Sequence, residues 1–256
     1  MSDDLDVVST IRALRAERTS GKYFNYFPDC TDQCDPTSRD TSDHVGMCRV
    51  LYQKHLRFFD SQERERLMIA ANRIGKTQAG AYETTAHLTG LYPRWWTGRR
   101  FDEPVSWWAV GDTSKTVRDI GQLEMMGPMN KIGSGFIPRH LIEHFSRKPG
   151  VTDAIETVWV KHKERYHGAP GVSELGLKSY DQRRESFQGT KKHGIWLDEE
   201  PPDDIYIECL LRTAQTADFS GGMMMLTFTP LQGLTPLVLQ FLPGGQLPDT
   251  PQEALA

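Results

Sequence analysis

The sequence of 256 residues lacks a long apolar run. Its longest apolar stretch, Met223–Phe228, falls far short of the roughly 20 residues that a membrane-spanning helix needs. The N-terminus, Met1–Asp4, is acidic and is not followed by the apolar region and cleavage site of a secretory signal. These absences predict a cytosolic protein without a membrane span.

An excess of positive charge is also missing. The chain has 30 Lys and Arg against 34 Asp and Glu, for a net charge of −4. Proteins that hold nucleic acid stably usually carry a visible excess of cations, so any DNA contact is expected to be local or transient. A hydrophobic fraction of 38% and a charged fraction of 25% are ordinary for a soluble globular protein. We expect one large domain with an N-terminal appendage.

Cysteine is scarce, with four in the chain, but three of them, Cys30, Cys34 and Cys48, lie close together with His44. A cytosolic setting makes disulfides between them an unfavoured interpretation. Three thiolates and one imidazole suit tetrahedral Zn²⁺, although the spacing C-x3-C-x9-H-x3-C matches no common zinc signature. The sequence leaves two interpretations open: a zinc site, or free cysteines in a polar arm with a solvated histidine.

The pattern of apolar residues predicts alternating helices and strands. Helices are expected at residues 5–16, 51–59, 76–88, 114–126 and 205–215, and strands at 67–71, 105–110, 155–161, 175–179, 194–198 and 223–228. Polar and turn residues at 19–43 predict an irregular arm, and Pro and Gly between 128 and 150 predict loops. We therefore divide the chain into an N-terminal helix and loop-rich arm (1–50), a main domain (51–242) and a linker or tail (243–256).

A phosphate-binding loop is predicted at Ala70–Thr77, which has the spacing G-x-x-x-x-G-K-[ST] with Ala70 in place of the first glycine. In such a loop, backbone N–H groups and the following helix N-terminus surround a phosphate, and Gly75 supplies the tight turn. Lys76 is expected to reach the β- and γ-phosphates of ATP, and the Thr77 hydroxyl to bind Mg²⁺. G-K-T alone is common by chance, but here a predicted strand precedes it and a predicted helix follows. The nucleotide-binding residues predicted in this segment are Asn72, Arg73, Ile74, Gly75, Lys76, Thr77 and Gln78.

The predicted fold class follows from this loop: an α/β P-loop NTPase with a mostly parallel central sheet flanked by helices. A second strand, Gly194–Asp198, ends in acids, where a carboxylate is expected to hold the Mg²⁺ at the carboxyl edge of the sheet. We assign Asp198 to that role and Glu199 to orienting and polarising the attacking water. The alternative is a solvated acidic turn before Pro201.

Two further residues are candidates near the γ-phosphate. Arg73, inside the loop, is placed to stabilise charge that develops during phosphoryl transfer, or alternatively to point away and pair with an acid. Thr229 follows the last predicted strand, where its hydroxyl is a candidate to sense hydrolysis. By itself this second signal is weak, since many strands end in Thr and Pro.

Together these motifs resemble the ATPase domain of the large terminase subunit, the DNA-packaging motor of tailed bacteriophages. The resemblance is carried by Ala71–Thr77, Trp196–Pro201, Thr227–Pro230 and Tyr52–His55, and it spans roughly residues 51–236. It implies ATP hydrolysis that powers translocation of double-stranded DNA into the procapsid. It also implies a homo-oligomeric ring on the portal protein, a small terminase subunit as partner, and a place in the host bacterial cytoplasm, transiently at the procapsid portal.

The resemblance also implies roles for residues outside the motifs. An upstream glutamine contacts adenine in that family; here Gln53 or His55 fits, the local spacing does not decide between them, and Tyr52 is a candidate to stack on the base. For an arginine acting from a neighbouring subunit, Arg118 and Arg212 are both candidates. Full-length members carry a nuclease domain, for which this chain is too short, so we expect it to hydrolyse ATP and not to cut DNA.

Two other function classes compete with this one. A helicase-like ATPase is also dependent on nucleic acid, but helicases of that type pair two such domains. A non-catalytic nucleotide-binding module used for assembly would be expected to have lost at least one of Lys76, Thr77, Asp198 and Glu199, all of which are present.

Overall fold

The computed structural model describes residues 21–162, 171–217 and 219–246. The helix predicted at 5–16 lies outside the described residues, as does most of the tail predicted at 243–256.

Among the described residues, seven strands form one sheet in the order β1-β7-β6-β2-β5-β4-β3. The strands are β1 (Glu65–Ile69), β2 (Ser106–Gly111), β3 (Ile142–Arg147), β4 (Ile155–His162), β5 (Gly171–Ser179), β6 (Gly194–Asp198) and β7 (Met223–Phe228). The first five in spatial order are parallel, and β4 and β3 add an antiparallel edge. The mostly parallel α/β sheet predicted from the sequence is confirmed.

The helices cover both faces of this sheet. They are α1 (Lys22–Asn25), α2 (Gln53–Asp60), α3 (Lys76–Thr89), α4 (Ser114–Thr116), α5 (Leu123–Met126), α6 (Asp203–Thr213) and α7 (Pro236–Gln240). A π-helical segment, Val117–Gln122, joins α4 to α5, so the helix predicted at 114–126 is present as three consecutive pieces. In the described part of the chain, no helix combines the length and apolar character needed to cross a membrane.

Helix α3 runs between two glycines in left-handed conformation, Gly75 (φ 87°) and Gly90 (φ 66°), which begin and end it. Nearly every residue from Ala79 onward is buried, because the helix lies under the sheet. Gly80 permits a close approach, since a Cβ built there would overlap the ring of Trp196 on β6. The helix that follows the phosphate loop is therefore packed directly on the strand that ends in Asp198.

A buried ion pair fixes the strand before the phosphate loop to the helix after it. The guanidinium of Arg66 on β1 donates to Oε1 of Glu83 on α3 at 2.6 Å, and His87 lies 3.3 Å from the same oxygen. All three side chains are buried. Arg66 also donates to the carbonyl of Phe58 at 2.5 Å, which attaches α2. The elements on both sides of the loop are thereby held in one arrangement.

The N-terminal arm packs on the main domain through aromatic side chains. Tyr23, Tyr26 and Phe27 are buried, and the rings of Tyr23 and Tyr26 lie 5.0 and 4.9 Å from that of Tyr82 on α3. The prediction of a polar irregular arm at residues 19–43 is therefore wrong for this aromatic group, which is part of the core. The remainder, from residue 29 to residue 50, is irregular apart from a 3-10 turn at Thr41–Asp43.

Several element boundaries differ from the expectations. Strand β3 lies where loops were predicted; it is an edge strand with two register shifts against β4, so its side chains do not alternate regularly. Strand β1 ends at Ile69 because Ala70 already belongs to the phosphate loop. Helix α7 was not predicted, and it begins at Pro236 behind the capping hydroxyl of Thr235.

Candidate nucleotide-binding site

The sequence-predicted site residues come together at the carboxyl edge of the sheet. Strands β1, β7 and β6 are neighbours and run parallel, so the residues that follow them meet at one edge. Ala70 follows β1, Asp198 ends β6 and Thr229 follows β7. Register pairs Asp198 with Thr227 on the adjacent strand.

The phosphate loop ends in an open helix N-terminus. Gly75, at the N-cap of α3, has φ 87° and gives no side-chain hydrogen bond to the first N–H groups of the helix. Uncapped N–H groups together with the helix dipole favour an anion at this position. A Cβ at Gly75 would lie 3.2 Å from Cε of Met47 and 3.5 Å from Nε2 of His55, so the loop is closely covered on that side. Gln78 is half-buried in the first turn of α3.

The ammonium of Lys76 lies across the loop. It donates to the carbonyls of Ala70 and Ala71 at 2.9 and 2.8 Å and to the hydroxyl of Thr229 at 2.9 Å. Burial lowers the pKa of Lys76, while the carboxylates of Glu199 and Asp198 act in the opposite direction. The Lys76 ammonium is therefore held between the phosphate loop, the two acids at the end of β6 and the residue that follows β7.

The oxygen atoms of Thr77 and Asp198 form a compact group. The Thr77 hydroxyl lies 3.0 and 3.2 Å from the two carboxylate oxygens of Asp198, and the Thr227 hydroxyl donates to Oδ1 at 2.8 Å. Thr227 in turn accepts the indole N–H of Trp196 at 2.7 Å. Carboxylate and hydroxyl oxygens are the ligands that Mg²⁺ prefers, so the residues present fit this ion.

Burial raises the pKa of Asp198 from 3.8 to about 7. Hydrogen bonds from Thr227 and Thr77 and the charge of Lys76 oppose the rise, and the neighbouring Glu199 carboxylate adds to it. Burial also raises the pKa of Glu199. The site thus disfavours two negative charges unless a cation compensates them.

Glu199 has an unusual backbone, with φ 80°. Its N–H donates to the carbonyl of Thr227 at 3.1 Å and its carbonyl accepts the phenol O–H of Tyr180 at 2.8 Å. A positive φ in a residue other than glycine costs on the order of 1–3 kcal/mol and persists where surrounding contacts impose it. The two hydrogen bonds hold the Glu199 backbone in this turned conformation, and its exposed carboxylate interacts electrostatically with Lys76.

The two candidates for contact with adenine differ in placement. The amide of Gln53 donates to the carbonyl of Arg49 at 2.7 Å, at the start of α2. His55 is buried and its Nε2 faces Gly75, with the edge of its ring against Tyr52 at 5.4 Å. Burial lowers the pKa of His55. His55 therefore lies beside the phosphate loop with Tyr52 against its ring, whereas the Gln53 amide donates to a backbone carbonyl just before α2. The role of each in reading a base stays a prediction.

The three arginine candidates also lie in different surroundings. Arg73 is exposed within the loop and has φ 65°. Arg118 donates to Asp119 at 2.7 Å and to the carbonyl of Thr152, and Arg212 pairs with Glu208 at 3.1 Å. Arg73 alone of these is part of the loop, and the choice between Arg118 and Arg212 as an arginine acting on a neighbouring copy stays open.

Sequence reasoning missed three residues that shape the site. Thr227 bonds Asp198, Tyr180 holds Glu199, and Met47 covers Gly75. Thr227 belongs to the T-F-T-P motif, yet its contact with Asp198 depends on the register of β6 against β7. Tyr180 and Met47 carry no local signal. The predicted zinc ligands form a separate group in the arm, where the ligand atoms of Cys30, Cys34 and His44 all lie within 4.8 Å of one another.

Comparison with known proteins gives a consistent set of similarities. Residues 67–252 match the family described as "Terminase large subunit, T4likevirus-type, N-terminal". The large terminase subunit of Salmonella phage P22 is 36% identical over 208 residues, which cover 75% of this chain and 41% of that protein. The chain thus spans less than half the length of that relative. The large terminase ATPase domain of Thermus phage P74-26 is 15% identical over 68% of this chain and 62% of that one, with a TM-score of 0.44.

Proposed function

The chain belongs to the terminase large subunit family, of which it contains the N-terminal part, and on that premise we propose that it hydrolyses ATP to drive the packaging of phage DNA. The observation that supports this most strongly is the meeting of three features at one edge of the sheet. These are the uncapped N-terminus of α3, the Lys76 ammonium and the Thr77–Asp198 oxygen pair. The first two fit the phosphates of a nucleoside triphosphate, and the third fits the Mg²⁺ that accompanies them.

Binding begins at the loop. The N–H groups at the start of α3 and the Lys76 ammonium donate to phosphate oxygens, since the first carry partial positive charge and the second a full one. Thr77 and Asp198 would hold Mg²⁺, which would neutralise charge on the phosphates. Tyr180 and Thr227 keep the Glu199 backbone in its turned conformation, which supports a role of its carboxylate near the phosphates.

Glu199 acts on the attacking water. Its carboxylate accepts a hydrogen bond from the water and orients it. Burial raises the pKa of this carboxylate, which brings that pKa closer to the value of an effective base at neutral pH. Arg73, exposed in the loop, stabilises negative charge that develops on the transferred group. Thr229 contacts Lys76 and transmits the change after hydrolysis to the end of β7.

The remaining parts of the proposal concern partners. We propose that the substrate moved is double-stranded DNA, contacted transiently, which agrees with a net charge of −4. The chain would act in a ring of copies on the portal protein, with a small terminase subunit, in the cytoplasm of the bacterial host and transiently at the procapsid portal. No membrane takes part.

The test is steady-state ATP hydrolysis with Mg²⁺, with and without double-stranded DNA. Lys76→Ala should lower turnover on the order of 100-fold or more, as the loss of a charge-stabilising group does. Lys115→Ala, on the exposed face of α4, is the matched control and should leave turnover unchanged. Equal effects of the two substitutions would contradict the proposal.

The nucleic acid used in the same assay separates the competing functions. Stimulation by double-stranded DNA supports the packaging motor, and stimulation by single strands alone indicates a helicase-like ATPase. Tight ATP binding without turnover, in a ring reconstituted with portal protein, indicates an assembly module.

A further inference from the structure

Four soft ligand atoms converge in the irregular part of the arm. Sγ of Cys30 lies 3.6 Å from Sγ of Cys48 and 3.7 Å from Nδ1 of His44, and Cys48 Sγ lies 2.9 Å from the same nitrogen. Cys34 lies beside this group, with its sulfur within 4.8 Å of the ligand atoms of Cys30 and His44. Residues up to 18 positions apart in an irregular segment are brought to one point, which calls for a physical cause.

These separations are close to those around a tetrahedral metal ion. Zinc binds thiolate sulfur at about 2.3 Å and imidazole nitrogen at about 2.0–2.1 Å, so the ligand atoms of one tetrahedron are about 3.8 Å (S to S) and about 3.6 Å (S to N) apart. The two distances from Cys30, 3.6 and 3.7 Å, agree with these values. The contact of Cys48 with His44, at 2.9 Å, is shorter and would open by about 0.7 Å around an ion.

The imidazole of His44 is oriented as a metal ligand. Its Nε2 lies 3.1 Å from the carbonyl oxygen of Ser38. A carbonyl only accepts, so Nε2 carries the proton and the lone pair of Nδ1 points at the thiols. Metal-binding histidines are commonly fixed in this way by a carbonyl on the far nitrogen.

The sulfur of Cys34 is also in an environment that suits a metal-binding thiolate. The backbone N–H of Val45 donates to it at 3.2 Å, which stabilises negative charge on the sulfur. Cys34 and Cys48 are buried even though most residues around them in the arm are exposed.

The irregular part of the arm has little regular structure or apolar core of its own. Between residues 29 and 50 the structure has a single short 3-10 turn, and most side chains face solvent. A polar loop of this length cannot bury enough apolar surface to offset its lost conformational entropy. A metal that cross-links residues 30 and 48 supplies the missing stabilisation, since binding free energy is then folding free energy.

We propose that Cys30, Cys34, His44 and Cys48 bind one structural zinc ion. The ion replaces the three thiol protons, which pass to solvent, and is held by three thiolates and the neutral Nδ1 of His44. Four protein ligands close the tetrahedron, so no position is open for water and the site is not catalytic.

The proposed zinc site is connected to the phosphate loop through Cys48, its last ligand along the chain. The carbonyl of Cys48 accepts the N–H groups of Leu51 and Tyr52 at 3.2 and 3.3 Å, at the start of α2. Met47, next to Cys48, packs on Gly75. Zinc at this position fixes the segment that covers the loop.

The experiment measures metal in the untagged chain purified without added zinc or chelator. We expect about one zinc per chain, released by a mercurial reagent as three thiols react. Replacement by Co²⁺ should give thiolate-to-cobalt charge transfer and the visible bands of tetrahedral cobalt. A folded chain that holds no metal and neither takes up zinc nor gives these bands would overturn the proposal.

Variants locate the ion. Cys30→Ser should lose the metal. Cys209→Ser should keep it, since Cys209 is buried in α6 within a core cluster that contains no described residue of the arm. His44→Cys should also keep it, since four thiolates bind zinc equally, and a purely structural role for the imidazole would not be rescued in this way. Zinc retained by Cys30→Ser in unchanged amount would place the ion elsewhere and overturn the assignment. If Cys30→Ser does not fold, the metal content and cobalt spectrum of the unmodified chain decide.

Discussion

The ammonium of Lys76 donates a 2.9 Å hydrogen bond to the hydroxyl of Thr229, which joins the phosphate loop to the end of β7. The same hydroxyl lies 3.0 Å from the carbonyl of Ala70 and 2.8 Å from the side-chain oxygen of Asn72. One oxygen atom therefore contacts the beginning, the middle and the end of the loop. We therefore expect a change at bound phosphates to reach the end of β7 through this hydroxyl.

Replacing Thr229 tests this junction. Thr229→Val keeps the shape of the side chain but removes its hydroxyl, so Lys76 loses a partner and Asn72 loses a donor. We expect ATP affinity to fall about tenfold, which corresponds to about 1.4 kcal/mol, the scale of one hydrogen bond to a charged group. Thr229→Ser is the control and should bind as the unmodified chain does. Calorimetric titration with ATP checks this; equal affinity for the Val and Ser variants would contradict it.

Asp198 gives a pH-dependent prediction. Its pKa is about 7 in the folded chain against an ordinary 3.8. The folded state therefore favours the neutral carboxyl more strongly than the unfolded state does. The stabilisation from this group is fully present below about pH 4 and is lost as pH rises through about 7. Asp198→Asn, which cannot ionise, avoids that loss.

The free energy of unfolding should show this directly. In magnesium-free buffer, the advantage of Asp198→Asn over the unmodified chain should grow by about 1–3 kcal/mol between pH 4 and pH 7 and stay level above that. Asp102→Asn, at an exposed carboxyl, should show no such growth. Urea unfolding across this pH range makes the comparison, and an advantage independent of pH would contradict the account.

The parts of the fold that could be predicted from the sequence are those with local patterns. The run at 223–228, the Gly-Lys-Thr turn and the acid-ended strand at 194–198 each identify an element within a few residues. Strand β3 could not be predicted, because an edge strand with register shifts has no regular alternation. The aromatic group Tyr23–Phe27 lies in a polar stretch, and only its contact with Tyr82 reveals that it belongs to the core.

The residues of the candidate site fall into the same two groups: those that a local sequence pattern identifies and those whose contacts depend on the fold. The spacing of the motif places Thr77 at the start of a helix and Asp198 at the end of a strand, and the structure brings them to 3.0 Å. The bond from Thr227 to Asp198 depends on strand register, and the bond from Tyr180 to Glu199 depends on a loop after β5. Contacts between distant segments leave no local pattern, so the sequence alone did not indicate them.

The packing of α3 on β6 yields a stability prediction. Gly80→Ala should lower the free energy of unfolding by about 1–3 kcal/mol, despite the higher helix propensity of alanine, because the new methyl group overlaps the ring of Trp196. Gly121→Ala is the matched control: its methyl group would meet no atom within 4 Å, so it should be neutral or stabilise by up to about 1 kcal/mol. Thermal and urea unfolding compare the two; equal stability of both variants would contradict the packing described.

The most direct test of the central claim is single-turnover ATP hydrolysis by Glu199→Gln, measured alongside its ATP affinity. Glutamine keeps the size of the side chain but cannot accept a proton, so hydrolysis should fall on the order of 100-fold or more while ATP affinity changes by no more than about threefold. Glu200→Gln, whose carboxylate accepts the Thr235 hydroxyl instead, should hydrolyse ATP normally. Turnover by Glu199→Gln at the rate of the unmodified chain would contradict the assignment of Glu199 to the attacking water.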